Sequence, residues 1–375
     1  MFFAALAPLL PEYVDALALS KAEAGVLAAA YPAGVLLAGI PSGVLAARIG
    51  VKRTLLGGLF LLAATTVVFG LADEFSLLVA ARLVQGTASA CAWTAGFTWL
   101  VGAAPPGRRG EVIGTALGVA IAGALFGPVL GAVASVVGTE PAFGAVGGLA
   151  IVLAAWATAM PAPPAPARQP LSALAAAVRA PAIATGLWLI LLPALLFGTL
   201  GVLAPLDLSR LGFGSVAIAA VFLLSAAGEA ALAPVIGRVS DRRGRIVPLR
   251  AGLVASAGIA CALPWPEHRF LLAAVVVLAG QAFGTFWAPA MAWLTDAAEQ
   301  RGLDAAYAFA LINLAWAPGQ AAGAAAGGAV AGATSDAVPY LALGAVCLGT
   351  LALLARRSRA AAPASAAPVE RVPGV

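Results

Sequence analysis

Two ionisable side chains lie deep inside long apolar runs of this chain, Arg82 and Glu229. A charge at the centre of a span costs at least ~2.5–3.5 kcal/mol on a lenient insertion scale. Each must therefore find partners or water. Arg82 and Gln85 are three residues apart and share a helix face. That spacing predicts a guanidinium turned to a bundle interior and met by an amide; the alternative is an arginine snorkelling to the surface. Glu229 stands eight residues before Gly237, about 12 Å from its helix end. A carboxylate in apolar surroundings can bind and release a proton. It can equally bind a cationic substrate, or serve as a structural glutamate between helices. Tyr31, Trp93, Trp188, Gln281, Trp287, Asn313 and Gln320 supply polar and aromatic groups within other apolar runs, and Asn313 is the only Asn. Aromatic faces with few fixed polar groups suit amphiphilic or cationic ligands. Singly, each residue fits helix packing or a lipid-facing position equally well.

Other chemistries have little to draw on. His268 is the only histidine and lies in a short loop, and Cys91, Cys261 and Cys347 sit in three separate apolar runs. No metal-ligand spacing results, so no metal and no cofactor is expected. A membrane enzyme needs a cluster of acids or histidines at one leaflet, which one loop histidine and one deep glutamate do not provide. The basic residues are interspersed between apolar runs, which reads as membrane orientation and not as nucleic-acid binding.

The elements that must position these residues follow from composition. The 375 residues are 62% hydrophobic and 10% charged, against about 25% charged in soluble domains. Mean hydropathy is +1.01. Apolar runs bounded by charges, Pro or Gly predict helices at about 1–19, 23–46, 54–72, 76–102, 110–136, 141–161, 182–205, 215–238, 246–264, 270–294, 305–331 and 337–355. The fold class is an all-α polytopic membrane protein of twelve spans. Residues 1–161 and 182–356 are expected to form two six-helix bundles. A Pro-rich cytoplasmic linker (162–181) joins them, and a disordered cytoplasmic tail (357–375) follows. With odd helices running outward, 17 Lys/Arg fall on the inner side and three, Lys21, Arg210 and Arg269, on the outer. The positive-inside rule then places both termini in the cytoplasm of a plasma-membrane protein. Helix 1 has few apolar residues before Glu12 and no basic flank, so the natural chain is expected to begin upstream of Met1.

The halves repeat. "PSGVLAARIGVKR" (41–53) and "APVIGRVSDRRGR" (233–245) follow the second and eighth helices, with Gly43/Gly237 and Gly50/Gly244 each 194 residues apart. Gly86/Gly280 and the Trp-Leu pairs at 99–100 and 293–294 share that offset. Duplicated six-helix halves are an architecture of secondary transporters.

Four motifs stand within this frame. The first loop carries Gly43, Arg48, Gly50, Lys52 and Arg53, with Ala47 in place of an acid; its copy carries Gly237, Asp241, Arg242, Gly244 and Arg245. Glycines there let the chain turn tightly and let helices approach, and the cations hold the loops at an anionic leaflet. The fourth helix carries Arg82-x-x-Gln85-Gly86. The fifth carries Gly123, Gly127, Pro128 and Gly131, with Pro318-Gly319 in the matching stretch of the eleventh and a weaker Pro8/Pro11 pair in the first. Pro128 predicts a kink, and the glycines predict close packing at the interface between halves.

These motifs resemble the major facilitator superfamily over essentially the whole chain, nearest its drug:proton antiporter branch. The resemblance implies a proton-coupling role for Arg82, and the deep carboxylate of Glu229 makes it the second proton-coupling candidate. It implies a conformational latch at Asp241 against a helix N-terminus of the other half, with Ala47 removing the equivalent latch from the first loop. It further implies a monomeric secondary transporter whose partners are a small-molecule substrate, protons and the lipid bilayer. The reading is proton-coupled efflux of drug-like or amphiphilic compounds. The alternatives are an uncoupled facilitator or exporter of a sugar or amino-acid-type metabolite and, more remotely, a non-transporting sensor.

Overall fold

The computed structural model describes residues 2–103, 109–161, 178–303 and 305–360. Most of the expected linker, 162–177, and the tail from 361 onward lie outside the described residues. The described chain is all helix: α1 (Phe2–Leu17), α2 (Lys21–Ile49), α3 (Val51–Leu71), α4 (Phe75–Ala103), α5 (Arg109–Val137), α6 (Thr139–Ala159), α7 (Pro181–Arg210), α8 (Ser215–Arg243), α9 (Ile246–Ala262), α10a (Arg269–Gly284), α10b (Trp287–Glu299), α11 (Ala305–Ala333) and α12 (Ala337–Ala360). Helices satisfy their own backbone groups, as hydrocarbon surroundings demand. Eight described segments are long and apolar enough to cross a membrane, α10a and α10b counting as one; Gly123–Val137 and α9 are shorter apolar helices.

Local sequence sets the helix ends. Ser20 caps α2 by accepting from the Glu23 amide at 3.2 Å, while the Glu23 carboxylate accepts from the Ser20 amide at 2.8 Å. This is a complete capping box. Gly50 and Gly244, the repeat partners, end α2 and α8 with φ +94° and +83°. Only glycine adopts that region without strain, so the same turn is built twice. α2 and α8 are each 29 residues long and begin at positions 194 apart, Lys21 and Ser215.

The tenth predicted helix crosses as one apolar segment, Arg269–Glu299, and carries a local irregularity in which the backbone stays helical in φ and ψ. It turns at Thr285 and Phe286, between α10a and α10b. Pro289 has no N–H to offer the Thr285 carbonyl, so the ladder is interrupted there. α7 and α8 also run about a turn further than expected, to Arg210 and Arg243.

The helices pack as linked pairs. α2 lies between α4 and α11, α7 against α11, α3 against α4 and α6, α8 between α10a and α5, α9 against α12, and α1 against α5. Large apolar side chains also point outward, among them Trp156, Val152 and Phe60. Contiguous exposed apolar surface is a hazard in water and is what a helix presents to lipid. One end of the bundle carries Arg48, Lys52, Arg53, Arg238, Arg242, Arg243 and Arg245, and is called the basic face below. Ser20–Lys21, Gly214–Ser215 and Thr334–Asp336 lie at the opposite face.

Candidate functional site

Arg82 is 1% exposed, so it does not snorkel. It stands in a cage built by four helices. Its Nη1 donates to Gln85 Oε1 at 3.3 Å and its Nη2 to the Phe3 carbonyl of α1 at 3.3 Å. The guanidinium carbon lies 5.0 Å from the Tyr31 ring centroid on α2 and 5.6 Å from that of Phe69 on α3. Both are within cation–π range. Gln85 Nε2 donates in turn to Thr66 Oγ1 at 3.1 Å, and Tyr31 donates its hydroxyl proton to Ser89 at 2.7 Å. Phe3 continues the cluster to Trp316 of α11, with rings 5.4 Å apart and edge-on. The buried arginine thus sits one aromatic ring away from the second half of the chain.

Glu229 sits in a seam between α8 and α10a. A methyl group added at Gly284 would overlap its side chain, so the carboxyl lies flat on that glycine, the last residue before the turn. The Trp287 side chain stands near it from the far side of the turn. Trp287 stacks on Phe197 of α7, centroids 6.1 Å apart and planes within 12°. Deeper in the seam, Gln281 Nε2 donates to the Ser225 carbonyl at 2.9 Å, while Gln281 Oε1 is buried without a hydrogen-bond partner. A carboxylate, an unpartnered amide oxygen and stacked indole and phenyl rings therefore meet at the turn within the span. That grouping can hold a proton, or a donor group on an apolar body.

The two sites occupy equivalent seams. Gly34 and Gly86 bring α2 and α4 into backbone contact; at the same offset, Gly228 and Gly280 lie between α8 and α10a, where they face the Gln281 and Ser225 side chains instead. Tyr31 and Ser225 lie over the second glycine of each pair, and Trp93 and Trp287 are also 194 apart. The titratable groups break the symmetry. Val276 stands where Arg82 would recur, and Val35 where Glu229 would.

A third cluster joins the halves at the opposite face. Lys21 Nζ at the start of α2 donates to both carboxylate oxygens of Asp336, the one to Oδ2 at 2.7 Å. Ser215, the counterpart of Lys21 at the start of α8, donates to Glu12 of α1. Here Gly25 and Gly328 let α2 and α11 approach backbone to backbone, whereas Gly39 and Gly43 of α2, toward the basic face, have nothing within 4 Å of an added methyl. Asp207 is buried beside this cluster, with Arg210 at 3.1 Å. Sequence reading ended the seventh helix at 205 and so missed Asp207; the Asp207/Arg210 spacing of three was the available signal.

A family model described as the Major Facilitator Superfamily matches residues 1–306 and, in a second overlapping match, residues 194–373. The chain belongs to the Major Facilitator Superfamily. It is therefore a multi-pass membrane protein of a transporter family. It is similar to MFS-type transporter ppzB of Metarhizium rileyi, 39% identical over 70 residues, and to the protein of that name from Metarhizium majus, 37% identical over 70 residues. Each alignment covers 19% of this chain, and they span 14% and 15% of those relatives.

Other predicted residues of this family member fall differently. Lys52 donates to the Thr158 and Met160 carbonyls at 2.8 and 2.6 Å, at the C-terminal end of α6, where a cation suits the helix dipole. Arg48 and Arg53 are exposed. Arg245 binds Asp296 of α10b at 2.6 Å. Asp241 is 75% exposed, with Arg245 at 3.9 Å. The structure thus places the Asp241 carboxylate in solvent at the basic face and not against the first half. Gly43 and Gly237 make no close approach, contrary to expectation; the turns are made by Gly50 and Gly244. In α5, Gly127 and Pro128 are buried and Gly123 has open space. Gly131 packs on Ala5 and Pro8 of α1, so its close approach is within its own half and not between halves. Trp93 is 37% exposed beside Phe97, and Trp188 faces outward and donates to Thr350. Gln320 is buried where α11 passes Gly198, and Asn313 is half-buried in α11. The candidates thus divide between two clusters, Tyr31 with Arg82 and Gln281 and Trp287 with Glu229; Trp93, Asn313 and Gln320 join neither.

Proposed function

We propose that the protein is a secondary transporter that exports amphiphilic, drug-like compounds in exchange for protons. The observation that carries this reading is the Glu229 seam. A lone carboxylate, set on Gly284 with Trp287 near it, stands at the turn within a spanning helix. Carriers of this architecture bind substrates and coupling ions near the bilayer midplane, and an ionisable residue inside the membrane marks such a pathway. Protonation of Glu229 would remove the charge that keeps the seam wet, and the stacked Trp287 and Phe197 rings would accept an apolar ligand body. Arg82 contributes a fixed positive field beside Tyr31 of the first half and, across Phe3, Trp316 of the second.

Alternating access requires contacts that exist in one state and break in the other. The Lys21–Asp336 and Ser215–Glu12 bridges, with the α2–α11 glycine contact, have that character. They close the opposite face while Asp241 and Gly43 stand open at the basic face. We assign the basic face to the cytoplasm by its excess of arginine, and take the two sets of six helices as the rocking bodies.

The reading is tested with purified protein in proteoliposomes and ethidium as probe. An imposed pH gradient should drive accumulation several-fold above equilibrium, and a protonophore should abolish it. Equal uptake with and without the gradient would instead indicate an uncoupled facilitator.

A further inference from the structure

The basic-face end of α8 carries more positive charge than transport uses. Arg238, Arg242 and Arg243 occupy its last two turns. Two carboxylates lie close to this end, Asp241 and Asp296, and Arg245 pairs with both, at 3.9 and 2.6 Å. Among the described residues no ion pair or hydrogen bond is made by the other three arginines. In the first repeat Lys52 is engaged with the carbonyls that end α6, while Arg48 and Arg53 are exposed and do not line the concavity at the end of α8.

The free arginines are also shaped around a space. With Val235 and Val239 they line a concavity of about 400 Å³. Positions 235, 238, 239 and 242 recur at helical spacing on one face. The concavity therefore has a cationic rim toward the helix end and an apolar floor one turn deeper. The floor continues along α8 through Val235, 44% exposed, to Leu232, 39% exposed. A small free anion would use the rim and leave the floor unexplained. A phosphate attached to a hydrocarbon chain uses both.

We propose that this concavity is a binding site for a phospholipid of net negative charge, its phosphate held by Arg238, Arg242 and Arg243 and its acyl chain laid along Val235 and Leu232. Arginine's planar fork suits phosphate oxygens, and the position at a helix end places the rim at headgroup depth. Each basic residue near an anionic surface contributes about fivefold in affinity, so three give on the order of a hundredfold. The bound lipid would hold the α8–α9 turn, and with it Asp241, at a fixed depth.

The test uses the full chain in neutral maltoside-detergent micelles, with lipid retention read by native mass spectrometry after adding equal amounts of phosphatidylglycerol and phosphatidylcholine. The expected result is preferential retention of phosphatidylglycerol that falls by on the order of a hundredfold in the triple variant Arg238→Gln/Arg242→Gln/Arg243→Gln. The control variant Arg48→Gln/Arg53→Gln, at the other loop, should retain it. Inorganic phosphate at matched concentration should not displace it. Retention undiminished in the triple variant, equal loss in the control, or displacement by inorganic phosphate would each overturn the proposal. Should the triple variant lose its thermal transition in detergent alone, the single Arg242→Gln variant carries the test, with an expected loss of about fivefold.

Discussion

Arg82 is held by geometry as much as by charge. Its fork reaches the Phe3 carbonyl and Gln85 in two directions while its plane lies between the Tyr31 and Phe69 rings. A lysine keeps the charge but cannot make both bonds from that position. Arg82→Lys should therefore cost about 1–3 kcal/mol through the buried acceptors it abandons, read as a lower unfolding midpoint in detergent; an unchanged midpoint would mean that the cage is not formed. A second contrast separates tight glycines from open ones. A methyl at Gly86 overlaps the Tyr31 backbone carbonyl, which cannot step aside, and a methyl at Gly43 meets nothing. Gly86→Ala should destabilise by about 1–3 kcal/mol, and Gly43→Ala should stay within about 0.5 kcal/mol. Gly280→Ala should fall between them, since the atom it first meets is the rotatable Ser225 hydroxyl. The Arg82–Gln85 pairing was legible from a spacing of three and the rarity of charge in the span. The identity of the loosely packed glycines was not, because a glycine in a helix reads the same whether or not a neighbour passes over it.

At the scale of elements, the helix inventory follows from apolar run length, and the turn within the tenth span does not. Residues 283–291 are apolar but for Thr285, and prolines such as Pro193 and Pro205 of α7 stand in helices that continue, so Pro289 alone does not announce the turn. The charge bridge at the opposite face was illegible for another reason. Lys21 and Asp336 are 315 residues apart, and nothing local pairs them. The bridge should bias the conformational equilibrium modestly, since it is partly exposed; such pairs are worth roughly 0–1 kcal/mol. Lys21→Gln should raise the population with the opposite face open by up to about fivefold. The measurement is a spin–spin distance between labels at Asp73→Cys and Glu267→Cys, in a background lacking the three native cysteines. A longer-distance population that grows in Lys21→Gln is expected, and an unchanged distribution would show that the bridge does not hold that face.

For the molecule as a whole, the repeat at an offset of 194 is the feature from which most of the site can be read. It matches the two turn glycines, the two seams of close approach and the starts of α2 and α8. What it does not supply is function, because the chemistry resides where the copies differ: arginine in the first seam, glutamate in the second. That asymmetry yields the central claim, that one carboxylate at the turn within the tenth span carries the coupling proton. Glu229→Gln preserves shape and hydrogen-bonding capacity while removing titration, so it isolates the claim from folding. In proteoliposomes loaded with ethidium, the variant should keep probe exchange across the membrane at equal pH near the wild-type rate. It should lose gradient-driven accumulation by at least about tenfold. Undiminished gradient-driven accumulation in Glu229→Gln would contradict the account.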